Sequence, residues 1–267
     1  MFDALGYSFV QNAIMGAILS SIVCGIIGTI IVQKRLVMLS GGIAHASFGG
    51  IGLGYLMGIE PIIPGLLFAV ASALAVSGMR RSTGTNSDAL TGMFWSSGMA
   101  LGILFIAVTP GYPPDMTSYL FGDILTISRS NVTLMAALVI IVTASVFSFF
   151  SYWKSFLFDD EFSAVMGMNV RFFENALFIL VAMSVVALIK VVGIILVIAL
   201  LTIPPSIAAL YTYNLKAIMV TSILIGCIAC LLGLYVSYMI GIPSGAVIVL
   251  FSSFSYFVCA FTRRKAA

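Results

Sequence analysis

Apolar residues run through this chain in blocks of about 20, and charged residues stand almost only between the blocks. A membrane-crossing helix needs roughly 20 apolar residues at a rise of about 1.5 Å each, so the pattern predicts one helix per block. The expected spans are 10–32, closed by Lys34-Arg35; 36–58, closed by Glu60-Pro61; 62–79, closed by Arg80-Arg81; 89–108, closed by Thr109-Pro110-Gly111; and 132–152. After the longest polar stretch, Lys154 to Glu174, two more fall at 175–190 and 193–212. The turn between them is so tight that one of the two is expected to be short or broken. The uncharged stretch from Ala217 to Thr262 would be roughly 69 Å long as a single helix, over twice a bilayer core. It is therefore expected to hold two spans, parted at Gly241-Ile242-Pro243-Ser244-Gly245. The total is about nine, eight being the alternative.

Composition turns this pattern into a fold class. The 267 residues are 61% hydrophobic and 8% charged, against about a quarter charged in a soluble domain. The apolar runs are continuous rather than alternating, so the class is an all-α polytopic membrane protein and not a barrel. No polar stretch is long enough for a soluble domain, which makes 1–267 a single transmembrane domain surrounded by membrane lipid. Nucleic acid is not expected among its partners. Cys24, Cys227, Cys230 and Cys259 all lie in apolar runs and read as packing residues. No basic n-region or cleavage site precedes the first span, so no removable signal peptide is expected.

Basic residues orient the chain. With the N-terminus outside, the inner side receives Lys34, Arg35, Arg80, Arg81, Lys154, Arg171, Lys216, Arg263, Arg264 and Lys265; the outer side keeps Arg129 and Lys190. An odd number of spans is needed to leave the C-terminal Arg-Arg-Lys inside. The expected location is the cell membrane, multi-pass, with the C-terminus cytoplasmic.

Two stretches carry candidate chemistry. The chain's one histidine, His45, lies in the uncharged run Leu36 to Ile59. A group that titrates near neutral pH is costly in hydrocarbon and marks a pathway or site; the alternative is an imidazole hydrogen-bonded between packed helices. The second stretch is the inner polar loop, about 154–174. There Asp159, Asp160 and Glu161 open a predicted helix running to Met168, where acidic residues suit the positive end of the dipole. Phe162, Val165 and Met166 fall on one face, and Gly167 is a plausible stop. An acidic start and apolar knobs suit docking; a solvated connector is the plainer alternative.

Five segments, in order, resemble the permeases of ABC importers for zinc, manganese and iron. They are the N-terminal FVQNAIMGAILSSIVCGIIGTIIVQKRLVMLSGGIAHASFGG, the outer YLFGDILTIS, the loop SFLFDDEFSAVMGMNV, the helix VVGIILVIALLTIPPSIAAL and the final GIPSGAVIVL. The resemblance runs from about residue 9 to residue 260. It implies an ABC-importer permease fold, a homodimer, a dimer of cytoplasmic ABC ATPases docked on the inner loop at Asp159 to Gly167, and an extracytoplasmic metal-binding protein. The cargo would be a divalent metal, with no cofactor held by this chain. The chain has no GxxxxGK[ST] loop, so ATP would be hydrolysed by the partner subunit.

In the family's second-helix motif, GDALSHA, an Asp stands one turn before the His. Here Gly41 stands in its place, and Ala44 replaces the Ser. The resemblance thus implies His45 as a transient pathway ligand without its carboxylate. Gly41-Gly42 is expected to loosen the helix and bare carbonyls. On the outer side, Glu60 and Asp123 are candidates for gathering cations, Asp123 equally for an ion pair with Arg129. The glycines from Gly49 to Gly54 suit close approach of two copies at a two-fold axis. Competing functions are a permease for an iron–siderophore or corrinoid, a secondary transporter with helices broken at Gly41-Gly42 and Pro204-Pro205, and an intramembrane enzyme, for which a lone His supplies no hydrolytic set.

Overall fold

The computed structural model describes residues 7–111, 122, 124 and 127–266. Among the described residues nine helices are long and apolar enough to cross a membrane. They are α1 (Ser8–Gln33), α2 (Val37–Met57), α3 (Ile62–Thr83), α4 (Ser87–Ala107) and α5 (Arg129–Ser148), and, beyond the polar loop, α8 (Val170–Val192), α9 (Ile194–Tyr211), α10 (Leu215–Ile240) and α11 (Ser244–Ala266). The loop itself forms two short helices, α6 (Phe150–Phe158) and α7 (Asp160–Val165).

The span boundaries follow local chemistry. Gly58, at φ 67°, closes α2 by turning its N–H back to the carbonyls of Gly54 and Tyr55. Asn86 caps α4 by accepting from the Asp88 N–H, and Asn214 caps α10. The tight turn expected near Gly193 is that one residue, at φ 78°, which β-carbon-bearing residues rarely adopt. Neither flanking helix is broken. The stretch 217–262 is parted where expected, with Gly241 at φ 73° ending α10.

Three sequence expectations change. The span placed at 132–152 ends at Ser148, and the chain restarts at once as the amphipathic α6, with Trp153 and Phe156 buried and Tyr152 and Phe158 exposed. α2 runs unbroken through Gly41-Gly42, and α9 through Pro204-Pro205, so neither pair unwinds a helix. Gly41 and Gly42 are both buried, and a β-carbon on Gly42 would collide with Thr91 of α4. Gly42 lets α2 and α4 touch, in a helix that stays intact.

The helices fall into two compact units, interleaved in sequence. One holds α1, α5, α9, α10, α11 and the last turn of α8 from Leu188. In it α1 packs against α5, α9 and α10, and α9, α10 and α11 pack on one another. Close approach again depends on glycine: β-carbons on Gly25 and Gly233 would stand 2.5 Å from the side chain of Ile223 and under that from Ile248, respectively. Asn12 donates to the Ile127 carbonyl at 3.0 Å, tying the start of α5 to α1. Cys24 and Cys230 are buried, and the Ser21 hydroxyl lies 3.8 Å from the Cys230 sulfur, a packing role.

The other unit holds α2, α3, α4, α6, α7 and α8 as far as Ala187. α2 lies between α3 and α4 and touches both along its length. Here the glycine stretch is used differently from the sequence expectation. Gly49 meets Phe68, Gly50 meets Pro64 and Gly65, Gly52 meets Gly102, and Gly54 meets Pro61. These glycines serve close packing on α3, α4 and the turn between α2 and α3.

Candidate functional site

His45 sits near the middle of α2, about 12 Å from its first residue and about 18 Å from its last at helical rise. Its ring lies flat on the indole of Trp95, with centroids 4.2 Å apart and planes 5° from parallel. The ring is half-buried, and its Nδ1 is buried with no hydrogen-bond partner. The helix–helix bond that would make it a plain structural imidazole is therefore missing among the described residues.

The stack follows from the packing of α2 on α4. A β-carbon on Gly98 would stand 2.5 Å from the Ala46 Cα, and one on Gly52 would stand 2.6 Å from the Gly102 carbonyl oxygen. Thr91, Trp95, Gly98 and Gly102 recur at helical spacing, so one face of α4 presents them all to α2. Two small contacts, at Thr91 and Gly98, bracket the bulky Trp95 and bring its indole against His45.

Among the described residues no other candidate ligand joins this ring. Among the described residues no group of three or more His, Cys, Asp or Glu side chains could hold a metal ion. Glu60 is exposed in the turn after α2, beyond the far end of the helix from His45. Asp123 lies outside the described residues. Gly41, one turn before His45, is buried and brings no side chain.

The polar loop forms the unit's second feature. Asp159 caps α7 by accepting from the Phe162 N–H at 2.9 Å, while Asp160 and Glu161 stand in its first turn. The helix is six residues long instead of running to Met168, because Gly167, at φ 83°, turns the chain out of it. Phe162, Val165 and Met166 are 60%, 86% and 71% exposed, and Phe158 just before them is 92% exposed. Glu161 is exposed as well.

Ion pairs hold this loop to the unit, and sequence reasoning missed them. Lys34, between α1 and α2, pairs with Asp160 and lies 4.0 Å over the ring of Phe156. Glu174, at the start of α8, receives Arg80 at 2.8 Å and Arg81 at 3.1 Å from the end of α3. Asn175 accepts from Ser77 and Arg81, each at 3.0 Å. The partners lie 126 and 93 positions apart in the Lys34–Asp160 and Arg81–Glu174 pairs, so no short-range pattern reveals them.

Comparison with known proteins places this arrangement. The family model described as the ABC 3 transport family matches residues 6–263. An uncharacterised membrane protein of Synechocystis sp., slr2045, is 39% identical over 99% of this chain and 94% of its own. The manganese transport system membrane protein MntC of Listeria monocytogenes is 31% identical over 94% of this chain and 90% of its own. Among solved structures, the chain resembles one in PsaBC from Streptococcus pneumoniae in complex with Fab, with a TM-score of 0.86 and 28% identity over 97% of this chain and 93% of that one. It also resembles an inward-facing putative metal-chelate type ABC transporter, with a TM-score of 0.80, over 97% of this chain and 88% of that one. At 15% identity the second likeness is one of fold.

Proposed function

The chain belongs to the ABC 3 transport family and is the permease subunit of an ABC importer for a divalent transition metal, manganese, zinc or iron; from that premise we propose that two copies line one pathway, with His45 of each facing the cation near mid-bilayer. As a permease subunit it leaves ATP hydrolysis to a cytoplasmic ABC ATPase dimer, and it receives metal from an extracytoplasmic binding protein. The whole chain acts as one permease domain. Its N-terminus lies outside, because that orientation places ten of the twelve Lys and Arg residues within.

The observation that carries the pathway role is His45 itself. It is the chain's one imidazole, placed halfway along a membrane-spanning helix with a buried nitrogen that no described residue satisfies. A single imidazole is a weak site. Weak, transient ligation suits transport, since a cation that enters must also leave. A two-fold axis would supply a second imidazole, and C2 pairs are the commonest symmetric assemblies. Outside, Glu60 and Asp123 are the carboxylates that raise the local cation concentration. Inside, α7 docks on the ATPase through Phe162, Val165 and Met166. Asp159, Asp160, Glu161 and Gly167 shape the helix that presents them.

The test is reconstitution. The chain, its ATPase and its binding protein in proteoliposomes should accumulate Mn²⁺, Zn²⁺ or Fe²⁺ only with ATP, and native mass spectrometry should count two copies of this chain per two ATPases. Uptake without the ATPase, or a single copy of this chain per complex, contradicts the proposal.

A further inference from the structure

A histidine that ligates a metal is usually held by a hydrogen bond from its other ring nitrogen to a carboxylate, carbonyl or water, which fixes the plane and the tautomer. His45 has no such bond within the described protein. Its Nδ1 is buried without a partner, and the position one turn before it is Gly41, which has no side chain to offer. The contact that orients the ring is the stack on Trp95, 4.2 Å between centroids and 5° from parallel. Resting on the pathway reading of His45, we infer that Trp95 is the positioning residue that holds the imidazole in the plane from which it meets the cation.

The geometry suits this role in three ways. The lone pair of an imidazole nitrogen lies in the ring plane, so an indole covering one face leaves the ligating edge open. The helix that carries the indole is held close to α2. Thr91 and Gly98, one turn to either side of Trp95, press against Gly42 and Ala46 of α2, so the backbone that carries Trp95 cannot recede from the backbone that carries His45. The stack also resists the motion that matters. Swinging the imidazole out of plane breaks the aromatic contact.

Two measurements test this on the full chain. In the purified permease, titrated Mn²⁺ held by His45 would lie within contact range of Trp95 and quench its fluorescence by paramagnetism. A saturable quench is expected that disappears in Trp95→Phe, where Trp153 alone emits, and in His45→Ala, where both indoles still emit. In proteoliposomes with the ATPase and binding protein, Trp95→Leu keeps apolar bulk without an aromatic face. It should carry at least about tenfold less metal per ATP hydrolysed, the lower end of what loss of an orienting partner costs. Trp95→Phe restores a flat face and should recover most of that ratio at unchanged membrane abundance.

If His45→Ala abolishes transport while Trp95→Leu matches the wild type, this inference is wrong and the pathway reading stands. If Trp95→Phe fails as badly as Trp95→Leu, bulk and not stacking is what matters, and the inference again fails. Normal transport by His45→Ala removes both. Should Trp95→Leu not reach the membrane, the Mn²⁺ titration decides, and absence of a saturable quench in the wild type overturns the inference.

Discussion

The carboxylate of Glu174 meets the guanidinium of Arg80 at 2.8 Å with its own side chain 7% exposed, and Arg81 joins it at 3.1 Å. One buried anion therefore fastens the start of α8 to the end of α3. Glu174→Gln keeps the shape and removes the charge, leaving two neighbouring guanidinium groups uncompensated. Loss of one partner of a buried pair costs about 3–5 kcal/mol. Both arginines are about a third exposed, so water offsets part of this, and a loss of about 1–3 kcal/mol is expected. A lowered thermal unfolding midpoint of the purified permease checks it; an unchanged midpoint contradicts it.

Gly98 and Gly92 lie on the same helix and should respond oppositely to alanine. At Gly98 the new methyl would stand 2.5 Å from the Ala46 Cα, backbone that cannot step aside. Forcing α2 and α4 apart is expected to cost about 1–3 kcal/mol and to disturb His45 with it. At Gly92 nothing lies within 4 Å, so alanine should be neutral or stabilise by up to about 1 kcal/mol through helix propensity. Thermal unfolding of the two variants side by side gives the answer, and equal midpoints would refute the close-contact account.

The proposed docking role makes the apolar knobs of α7 expendable for folding and needed for ATPase binding. Val165 is 86% exposed and Met166 71%, so Val165→Glu or Met166→Glu should leave permease stability within about 0.5 kcal/mol. Either should weaken ATPase binding by roughly 2 kcal/mol or more, about thirtyfold, as a charge placed in an interface core does. Pull-down of the ATPase on the variant permease reads this directly. Undiminished binding sinks the docking assignment.

Lys34, just before α2, and Asp160 tie that end of α2 to α7. Their side chains are 14% and 40% exposed, and the ammonium also lies over Phe156. A double-mutant cycle of Lys34→Met and Asp160→Asn should return a coupling of about 1 kcal/mol that shrinks with added salt. A coupling of zero at low salt would show that the pair carries no energy.

The spans were legible because charges and Gly/Pro clusters punctuate the chain wherever it leaves the apolar phase: Lys34-Arg35, Glu60-Pro61, Arg80-Arg81, Gly193 and Gly241-Ile242-Pro243 all fall at helix ends. The short helix of the polar loop was legible through the acidic run that opens it and through Gly167, its stop. Contact partners were not. A glycine in an apolar helix signals close approach without saying to what. Gly49 to Gly54 were therefore expected at a two-fold axis but pack within the chain, and Gly41-Gly42 were expected to loosen a helix that stays intact. Trp95 carries no local mark of its partner, since only the packing of α4 on α2 brings it to His45. The ion pairs of Lys34 and Glu174 are hidden by the same long sequence separation.

The central claim is that the imported cation passes His45. The most direct measurement is ATP-driven uptake of Mn²⁺, Zn²⁺ and Fe²⁺ by reconstituted transporter carrying either wild-type chain or His45→Ala, with membrane abundance and ATPase binding measured on the same samples. The account predicts uptake lowered by at least about tenfold with abundance and ATPase binding unchanged. Wild-type uptake of all three metals by His45→Ala would contradict it.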